Sequence, residues 1–218
     1  QSSKNLKDYI SFDDYISNYD DNNIYYLIGK NIKELTQSPL IEKYIFNNKN
    51  ILFMTDTLDE YIMSNLNEFK GKTLVSLSRD NNESNNNGKY NLFFEKIKLI
   101  LENKIEYVKL SNRLVESPSC LISSELGWSA NMERITDAGT FNDKNLNHYM
   151  KSKKILEMNM DHKINKELYK RFLLNSKDSS VIDLIYLIYD LSLIRSGFAI
   201  ENLKDFSNRY VKMIELGL

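Results

Sequence analysis

Short apolar runs alternate with helical patterns through the first 80 residues, and this alternation constrains the fold more than any other feature of the sequence. The runs at 24–28, 51–54 and 73–77 have the length and the β-branched and aromatic content of buried strands. Strands that alternate with helices in this way usually pair in parallel, with the helices packed on the sheet. The first part of the chain is therefore predicted to be a small parallel-sheet α/β/α subdomain.

The helical stretches between these runs carry start and stop signals. Ser38 precedes a proline, which places a capping hydroxyl before a residue suited to the first helical position. Thr57 and Glu60 have capping-box spacing, in which the glutamate returns a hydrogen bond to the threonine amide. Gly71 is placed to end that second helix. Negative charge is favoured at a helix start, so capping explains Asp59 and Glu60 without a catalytic role.

A polar stretch at 80–88, rich in asparagine, divides the chain. It cannot bury apolar surface, which predicts a linker. We place an Asn-rich linker at 81–89, between a first unit at 1–80 and a second at 90–218. A chain of 218 residues with 42% hydrophobic side chains is long enough for these two units.

The second unit mixes strands and helices without regular alternation. Strands are predicted at 105–110, 120–123 and 154–158. Helices are predicted at 93–101, 128–138, 163–175, 180–196 and 203–216. The predicted fold class is mixed α+β: the small parallel-sheet subdomain is followed by a C-terminal α+β domain that ends in a helical dimerisation bundle.

The last two predicted helices have more apolar surface than one chain can cover. The helix at 180–196 begins with a capping-box pattern from Ser180 to Asp183, and is apolar around most of its circumference. Asp183 and Asp190 are seven residues apart and share one face. The helix at 203–216 carries one apolar seam. These features predict a homodimer with a four-helix arrangement about a two-fold axis. The side chains assigned to its interface are Leu184, Ile185, Ile188, Leu191, Phe206, Tyr210 and Met213.

Net charge gives no reason to expect nucleic acid or a membrane as a partner. The 30 acidic and 29 basic side chains leave a formal net charge of −1. The apolar stretch at 184–189 ends at Asp190, short of the roughly 20 residues that a membrane-spanning helix needs. The opening Gln-Ser-Ser-Lys does not resemble a signal peptide, and we expect a longer protein around this chain.

The parallel sheet could suit a nucleotide, but the required loops are missing. Phosphate binding on such a sheet needs a glycine-rich turn after a strand. Gly29 follows the first apolar run without a second glycine, and Thr-Asp-Thr follows the second run. A structural sheet is therefore favoured over an enzyme, and no cofactor is expected in this chain.

Histidine and cysteine are too scarce to build a metal centre. His148 and His162 stand 14 residues apart with no supporting ligand pattern, and Asp161 is placed to cap the following helix. The single cysteine, Cys120, excludes an internal disulfide framework. It lies in a predicted strand, where a buried inert thiol is the favoured interpretation and a redox switch the alternative.

The segment at 127–135 contains the only tryptophan. If it is helical, Trp128, Met132 and Ile135 fall at i, i+4 and i+7 on one face. Periodicity alone favours core packing. The alternative is an exposed adhesive stripe, because Trp and Met suit adaptable contact surfaces.

Several motifs resemble the heat shock protein 90 family of chaperones. Ser-Asn-Arg-Leu-Val-Glu-Ser-Pro-Ser-Cys and Gly-Trp-Ser-Ala-Asn-Met-Glu-Arg-Ile are similar to the family's C-terminal domain, and the match between nine consecutive residues is highly specific. Further similar segments lie at 38–39, 59–61, 68–76, 154–162 and 196–198. The resemblance covers nearly the whole chain apart from the linker, and identifies 1–80 as the C-terminal part of a middle domain and 90–218 as a C-terminal dimerisation domain.

The resemblance implies an ATP-driven folding machine of which this chain is one part. ATP and magnesium would act in the full-length protein, through an N-terminal domain and a middle-domain arginine that lie upstream. The implied partners are a second copy of the chain, unfolded or partly folded clients and cochaperones. Trp128, Met132 and Ile135 would contact clients in the cleft between protomers.

The sequence also departs from the family pattern. Met160 stands where a proline is usual, and the chain stops at Leu218 without the acidic tail that binds helical-repeat cochaperones. The missing tail and the stretch at 155–157 are similar to plastid members, so a plastid-type organelle is the expected compartment, with cytoplasm or endoplasmic reticulum as alternatives. Two other functions stay open: an enzyme or nucleotide-binding module on the first sheet, and a plain dimerisation adaptor that never touches clients.

Overall fold

A computed structural model describes residues 1–19, 21–80, 87–125, 127–139, 149–151 and 153–217. Most of the predicted linker lies outside the described residues, and so does His148. Within the described ranges the chain is a mixed α+β protein with two sheets, which confirms the predicted fold class.

The first sheet contains the three predicted strands and one further short strand. Its members are β1 (Asn23–Ile28), β2 (Ile51–Met54), β3 (Glu68–Phe69) and β4 (Lys72–Ser76), in the order β2-β1-β4-β3. Strand β1 pairs in parallel with both β2 and β4, as predicted. Strand β3 pairs antiparallel with β4 through a tight turn in which Lys70 and Gly71 have positive φ. The prediction that Gly71 ends a helix is wrong, because its φ serves this hairpin instead.

Short helices pack around this sheet. They are α1 (Phe12–Asn18), α2 (Ile32–Thr36), a 3-10 turn at Pro39–Ile41, α3 (Glu42–Phe46) and α4 (Asp59–Asn65). The Ser38 hydroxyl accepts a hydrogen bond from the Leu40 amide at 3.3 Å, which confirms the predicted cap. The capping box at Thr57 is wrong. Asp56 forms the turn instead, since its carboxylate accepts from the Leu58 amide at 2.9 Å.

The second sheet has the order β5-β7-β6. Its strands are β5 (Tyr107–Leu110), β6 (Ser119–Ser123) and β7 (Lys154–Met158). Strand β7 pairs in parallel with β5 and antiparallel with β6. All three were predicted, with β5 two residues shorter at its start.

Five longer helices complete the second half. They are α5 (Asn91–Leu101), α6 (Ala130–Ala138), α7 (Lys163–Leu174), α8 (Ser179–Arg195) and α9 (Leu203–Gly217). The helices were predicted to within three residues, but two of their caps were not. His162 caps α7 rather than Asp161, and Asp178 caps α8 rather than Ser180. Each of these side chains accepts from the backbone amide two residues further along the chain, and Ser180 already lies inside α8.

The two halves share a hydrophobic cluster. Leu27, Phe53 and Leu77 from the first half pack in one group with Ile122 and Ile155 from the second. The chain between the sheets also runs beside β6, where the Ser123 amide donates to the Ser78 carbonyl and the Asp80 amide donates to the Ser123 carbonyl, both at 2.9 Å. The unit boundary at 81–89 stays a prediction, while the surfaces on its two sides are packed together.

Candidate functional site

The Trp128 segment enters α6 through a well-formed cap. The Ser129 hydroxyl accepts from the Met132 amide at 3.0 Å, so the helix begins at Ala130 and Trp128 stands just before it. The predicted helical stripe therefore holds for Met132 and Ile135 but not for Trp128. All three side chains are half-buried, and none of the three belongs to a hydrophobic cluster of the described residues. Core packing, which periodicity favoured, and the exposed stripe both stay predictions for these half-buried side chains.

Helix α6 turns polar side chains toward the protein. Its buried residues are Asn131, Glu133 and Thr136, whereas the apolar Met132 and Ile135 are the half-buried ones. An amphipathic surface helix normally buries its apolar face. Here the order is reversed on the buried side, while the exposed positions of α6 carry Arg134, Asp137 and Ala138, so its apolar side chains lie between the two.

Glu60 supplies one of the polar contacts that make this reversal stable. This buried carboxylate on α4 accepts from the Ser129 hydroxyl at 2.7 Å and from the Asn131 amide nitrogen at 3.2 Å. Burying a carboxylate is unfavourable unless such bonds form. The sequence predicts Glu60 only as a helix-start residue, through a capping box with Thr57 and a favourable charge. Its partners lie about 70 residues along the chain, a separation at which the sequence carries no signal.

A buried ion pair supplies the second polar contact. The Glu133 carboxylate lies 2.6 Å from the Lys154 ammonium on β7, and both side chains are largely buried. Burial raises the pKa of Glu133, and the charge of Lys154 opposes that rise. Gly127 lies too close to the residue before β7 for any side chain, because a Cβ there would be 2.4 Å from the Lys153 carbonyl oxygen. The Trp128 segment is thus held to β7 on one side and to α4 on the other.

Helix α4 adds exposed apolar side chains next to this anchor. Leu58, Tyr61 and Ile62 are exposed, while Met63 faces the core. Glu60 sits among them in sequence, and its contacts bring this part of α4 to the start of α6. The i, i+3, i+4 spacing of these three residues was a signal for a common face, although spacing alone does not tell whether that face is covered.

The side chains assigned to a dimer interface divide into two groups. Ile185 and Ile188 are buried in the chain's own core, with Ile188 only 4% exposed. Leu184 packs partly against the same core. The other four, Leu191, Phe206, Tyr210 and Met213, lie on exposed or half-buried positions of α8 and α9, with Leu191 42% and Tyr210 54% exposed. Exposed apolar side chains that were not assigned are Ile194, Leu203, Val211 and Ile214.

Ion pairs dock α9 on α8. The Arg209 guanidinium lies 2.5 Å from the Asp190 carboxylate, and Lys212 pairs with Asp183. The two aspartates therefore do share one face, and that face meets α9. Burial raises the pKa of Asp190, and hydrogen bonding and charge from Arg209 oppose it. Because these polar contacts face α8, the apolar side chains Leu203, Tyr210 and Ile214 of α9 stay exposed and form an outward apolar seam.

Glu42 ties the first half to the loop before β6. One of its carboxylate oxygens accepts from the backbone amides of Val115, Glu116 and Ser117 at 2.7, 2.9 and 3.1 Å. The other accepts from the Ser117 hydroxyl. Burial alone raises the pKa of Glu42, but these hydrogen bonds outweigh it and hold the pKa below 4.5, its ordinary value. The sequence analysis missed this residue, because three consecutive amide donors leave no mark in the side chains.

Cys120 is fully buried on β6, and its thiol lies 3.8 Å from the Glu157 carboxylate. Burial, reinforced by the charge of Glu157, raises the pKa of this thiol well above its ordinary value. Such a thiol is poorly suited to react in the folded state. The redox switch stays a prediction that needs the strand to become accessible.

The described part of the chain contains neither a metal-binding cluster nor a membrane-spanning helix. It contains no group of three or more His, Cys, Asp or Glu side chains placed to hold a metal ion. No helix within the described ranges combines the length and apolar character that crossing a bilayer requires.

The described chain is thus a mixed α+β protein with exposed apolar side chains beside the start of α6 and along its terminal helices. Comparison with known proteins gives its family. The sequence profile of the family described as "Hsp90 protein" matches residues 1–218. The chain therefore belongs to the Hsp90 family.

Individual relatives come from several branches of that family. The chain is 35% identical to "Putative heat shock protein HSP 90-beta-3" of Homo sapiens over 205 residues, 89% of this chain and 34% of that protein. It is 35% identical to "Endoplasmin homolog" of Arabidopsis thaliana over 219 residues, 95% of this chain and 26% of the relative. It is 32% identical to "Heat shock protein 90-5, chloroplastic" of Arabidopsis thaliana over 228 residues, 100% of this chain and 29% of the relative. The chain thus spans about a third or less of the length of these relatives.

Proposed function

We propose that this chain is the dimerising and client-contacting part of an ATP-dependent Hsp90-type chaperone that assists protein folding. The observation that carries the proposal is the buried polar side of α6, which leaves Met132 and Ile135 half-buried and outside every hydrophobic cluster of the described residues. Trp128 adds a large aromatic surface at the start of the helix. Exposed apolar surface on a folded protein commonly marks a binding site, and Trp and Met suit partners of variable shape.

The client surface includes α4 in this proposal. Leu58, Tyr61 and Ile62 extend the apolar surface of α6 across the contact that Glu60 makes. An unfolded client exposes apolar segments without one fixed geometry. A surface built from two elements gives such a client several alternative contacts, so the two helices together suit a chaperone better than a partner with one rigid epitope.

Dimerisation is proposed through the outward seam of α8 and α9. Leu191, Ile194, Leu203, Tyr210 and Ile214 are exposed in a single chain. Burying a large apolar side chain fully contributes roughly 1.5–3 kcal/mol. Ten such side chains from two protomers would support lasting association after the costs of ordering are subtracted. Ile185 and Ile188 then stabilise the fold that presents the seam.

ATP hydrolysis is proposed for the full-length protein and assigned to parts of it outside this chain. The first sheet lacks glycine-rich turns after β1 and β2, so the proposal includes no ATP or magnesium site here. Cochaperones are proposed as further partners of the whole protein. An organelle is the proposed compartment, since the relatives include proteins named chloroplastic and endoplasmin.

The experiment compares two double variants in suppressing the aggregation of a heat-denatured client. Trp128→Ser with Met132→Ser removes the proposed contact surface. Leu173→Ser with Leu174→Ser is the matched control, because it removes two exposed apolar side chains from a different helix, α7. We expect the first variant to lose most of its suppression while keeping its dimer and its melting temperature, and the control to keep all three.

Two outcomes contradict the client assignment. If the first variant unfolds many degrees earlier but holds clients as well per folded molecule, these side chains stabilise the fold rather than bind clients. If both variants and the wild type fail to suppress aggregation while dimerising normally, the chain is a plain dimerisation adaptor. Calorimetric titration with ATP tests the enzyme alternative, which micromolar binding abolished by changes near β1 would revive.

A further inference from the structure

A cavity of about 320 Å³ opens at the junction of the two halves, on the side of the first sheet that faces α3. Strands β1 and β4 form its floor with Tyr25 and Val75, and α3 contributes Lys43 and its neighbours. The opposite wall is Asn112 and Arg113, from the loop before β6. The cavity is therefore an open one lined by both halves of the chain, and a ligand that fills it touches both.

The lining consists almost entirely of groups that can donate hydrogen bonds. Of the nine described residues around it, Val75 alone has an apolar side chain, and none is an Asp or Glu. Three are cations: Lys43, Lys49 and Arg113. The rest are asparagines and tyrosines. A wall of donors without a carboxylate favours an acceptor-rich, negatively charged ligand.

Two of the three cations in this wall are already paired with carboxylates, and the third is available to a ligand. Lys49 pairs with Asp21 at 2.5 Å, and Arg113 lies 3.1 Å from Glu157 on the side of the second sheet. The Lys43 ammonium has no hydrogen bond or ion pair with any residue that the structure describes. Arg113 is 96% buried and its Nη1 also donates to the Leu77 carbonyl oxygen at 2.6 Å, so Lys43 is the cation left to meet a ligand.

We propose that this cavity binds a small phosphate-bearing anion, which contacts Lys43 from the first half and Asn112 from the second. Its volume is at the low end of ligand sites, which span roughly 300–1,000 Å³, and equals about ten water molecules of roughly 30 Å³ each. That size fits an inorganic or small organic phosphate. The ligand bridges the two halves, so its binding stabilises their observed arrangement.

The test is isothermal titration calorimetry and thermal unfolding of the 218-residue chain with inorganic phosphate, pyrophosphate and O-phosphoserine, against sodium chloride of equal ionic strength. Lys43→Gln removes the available cation, and Asn112→Asp places a carboxylate at the exposed mouth of the cavity. Lys170→Gln, on the exposed face of α7, is the matched control. We expect one anion per chain, affinity about ten-fold or more weaker in both cavity variants, and no change in the control.

The three anions separate the sources of the phosphate group. Tighter binding of O-phosphoserine than of the inorganic anions identifies an organic phosphate as the better ligand, and the reverse order identifies a free phosphate. Phosphate also stabilises proteins generally by exclusion from their surface. A rise in melting temperature that is equal in wild type, Lys43→Gln and Asn112→Asp, with no heat of binding, overturns the proposal. Since Asn112 is exposed, Asn112→Asp keeps the test decisive even if Lys43→Gln destabilises the chain.

Discussion

Replacing Glu42 by Gln probes the contact that joins the two halves. The substitution keeps the shape of the side chain and one carbonyl oxygen, but it removes the negative charge. In the folded chain that charge is surrounded by the amides of Val115, Glu116 and Ser117 and by the Ser117 hydroxyl. The variant therefore replaces charge-assisted hydrogen bonds with neutral ones without opening a cavity.

The expected loss of stability follows from those bonds. A hydrogen bond to a charged group contributes roughly 1.5–3 kcal/mol and a neutral one roughly 0.5–1.5 kcal/mol. The bonds share one carboxylate, and the Val115 and Glu116 positions are open to water, so the losses do not add in full. We expect a total of about 1.5–3 kcal/mol at pH 7. For a chain of this length that lowers the melting temperature by roughly 3–12 °C.

The pH dependence gives the sharper result. The pKa of Glu42 is lower in the folded chain than its ordinary value of 4.5. The carboxylate therefore stabilises the fold above pH 4.5, and this contribution disappears as the pH falls through the folded-state pKa. Urea unfolding of both proteins should show the full difference at pH 7 and a narrowing difference below pH 4.5. Glu95→Gln, an exposed position on α5, is the control and should match wild type. A difference that is absent at pH 7, or unchanged down to pH 3, would refute the reasoning.

Two further predictions concern the second half. Leu191→Asp should give a folded monomer by light scattering, whereas Ile188→Asp should lower the melting temperature sharply because it buries a charge in the core. A dimeric Leu191→Asp protein, or an Ile188→Asp protein with wild-type stability, would contradict that division of roles. Cys120 should react with a thiol reagent only as fast as the chain opens, and at once in denaturant. Rapid stoichiometric labelling of the native chain would show an accessible thiol.

The elements of this fold were predictable where local sequence determines them. The run at 51–54 matches β2 residue for residue, because a short apolar run between polar turns has few other conformations. Helix caps were harder. The Asp178 side chain reaches the Ser180 amide, although Ser180 itself has a capping-box pattern. Two residues that could each cap the helix lie within three positions of one another. The geometry of the preceding loop decides which of them does so.

Burial between distant elements was not predictable from one sequence. Ile188 and Leu191 look equivalent on an apolar helix, yet one is covered by the chain's own core and the other is exposed. Which side is covered depends on where α5 and the second sheet lie. The reversed polarity of α6 likewise depends on Glu60 and Lys154, which are remote in sequence and reach the helix only in the folded chain.

Site-specific photo-crosslinking tests the central claim most directly. A photoreactive side chain is placed at Met132, a half-buried position on α6, and separately at Leu173, an exposed position on α7. Each protein is irradiated with an unfolded client and with the same client in its native state. We predict crosslinks from position 132 to the unfolded client alone, and few from position 173. Equal crosslinking at the two positions, or crosslinking from position 173 only, would contradict the assignment of α6 as the client-contacting surface.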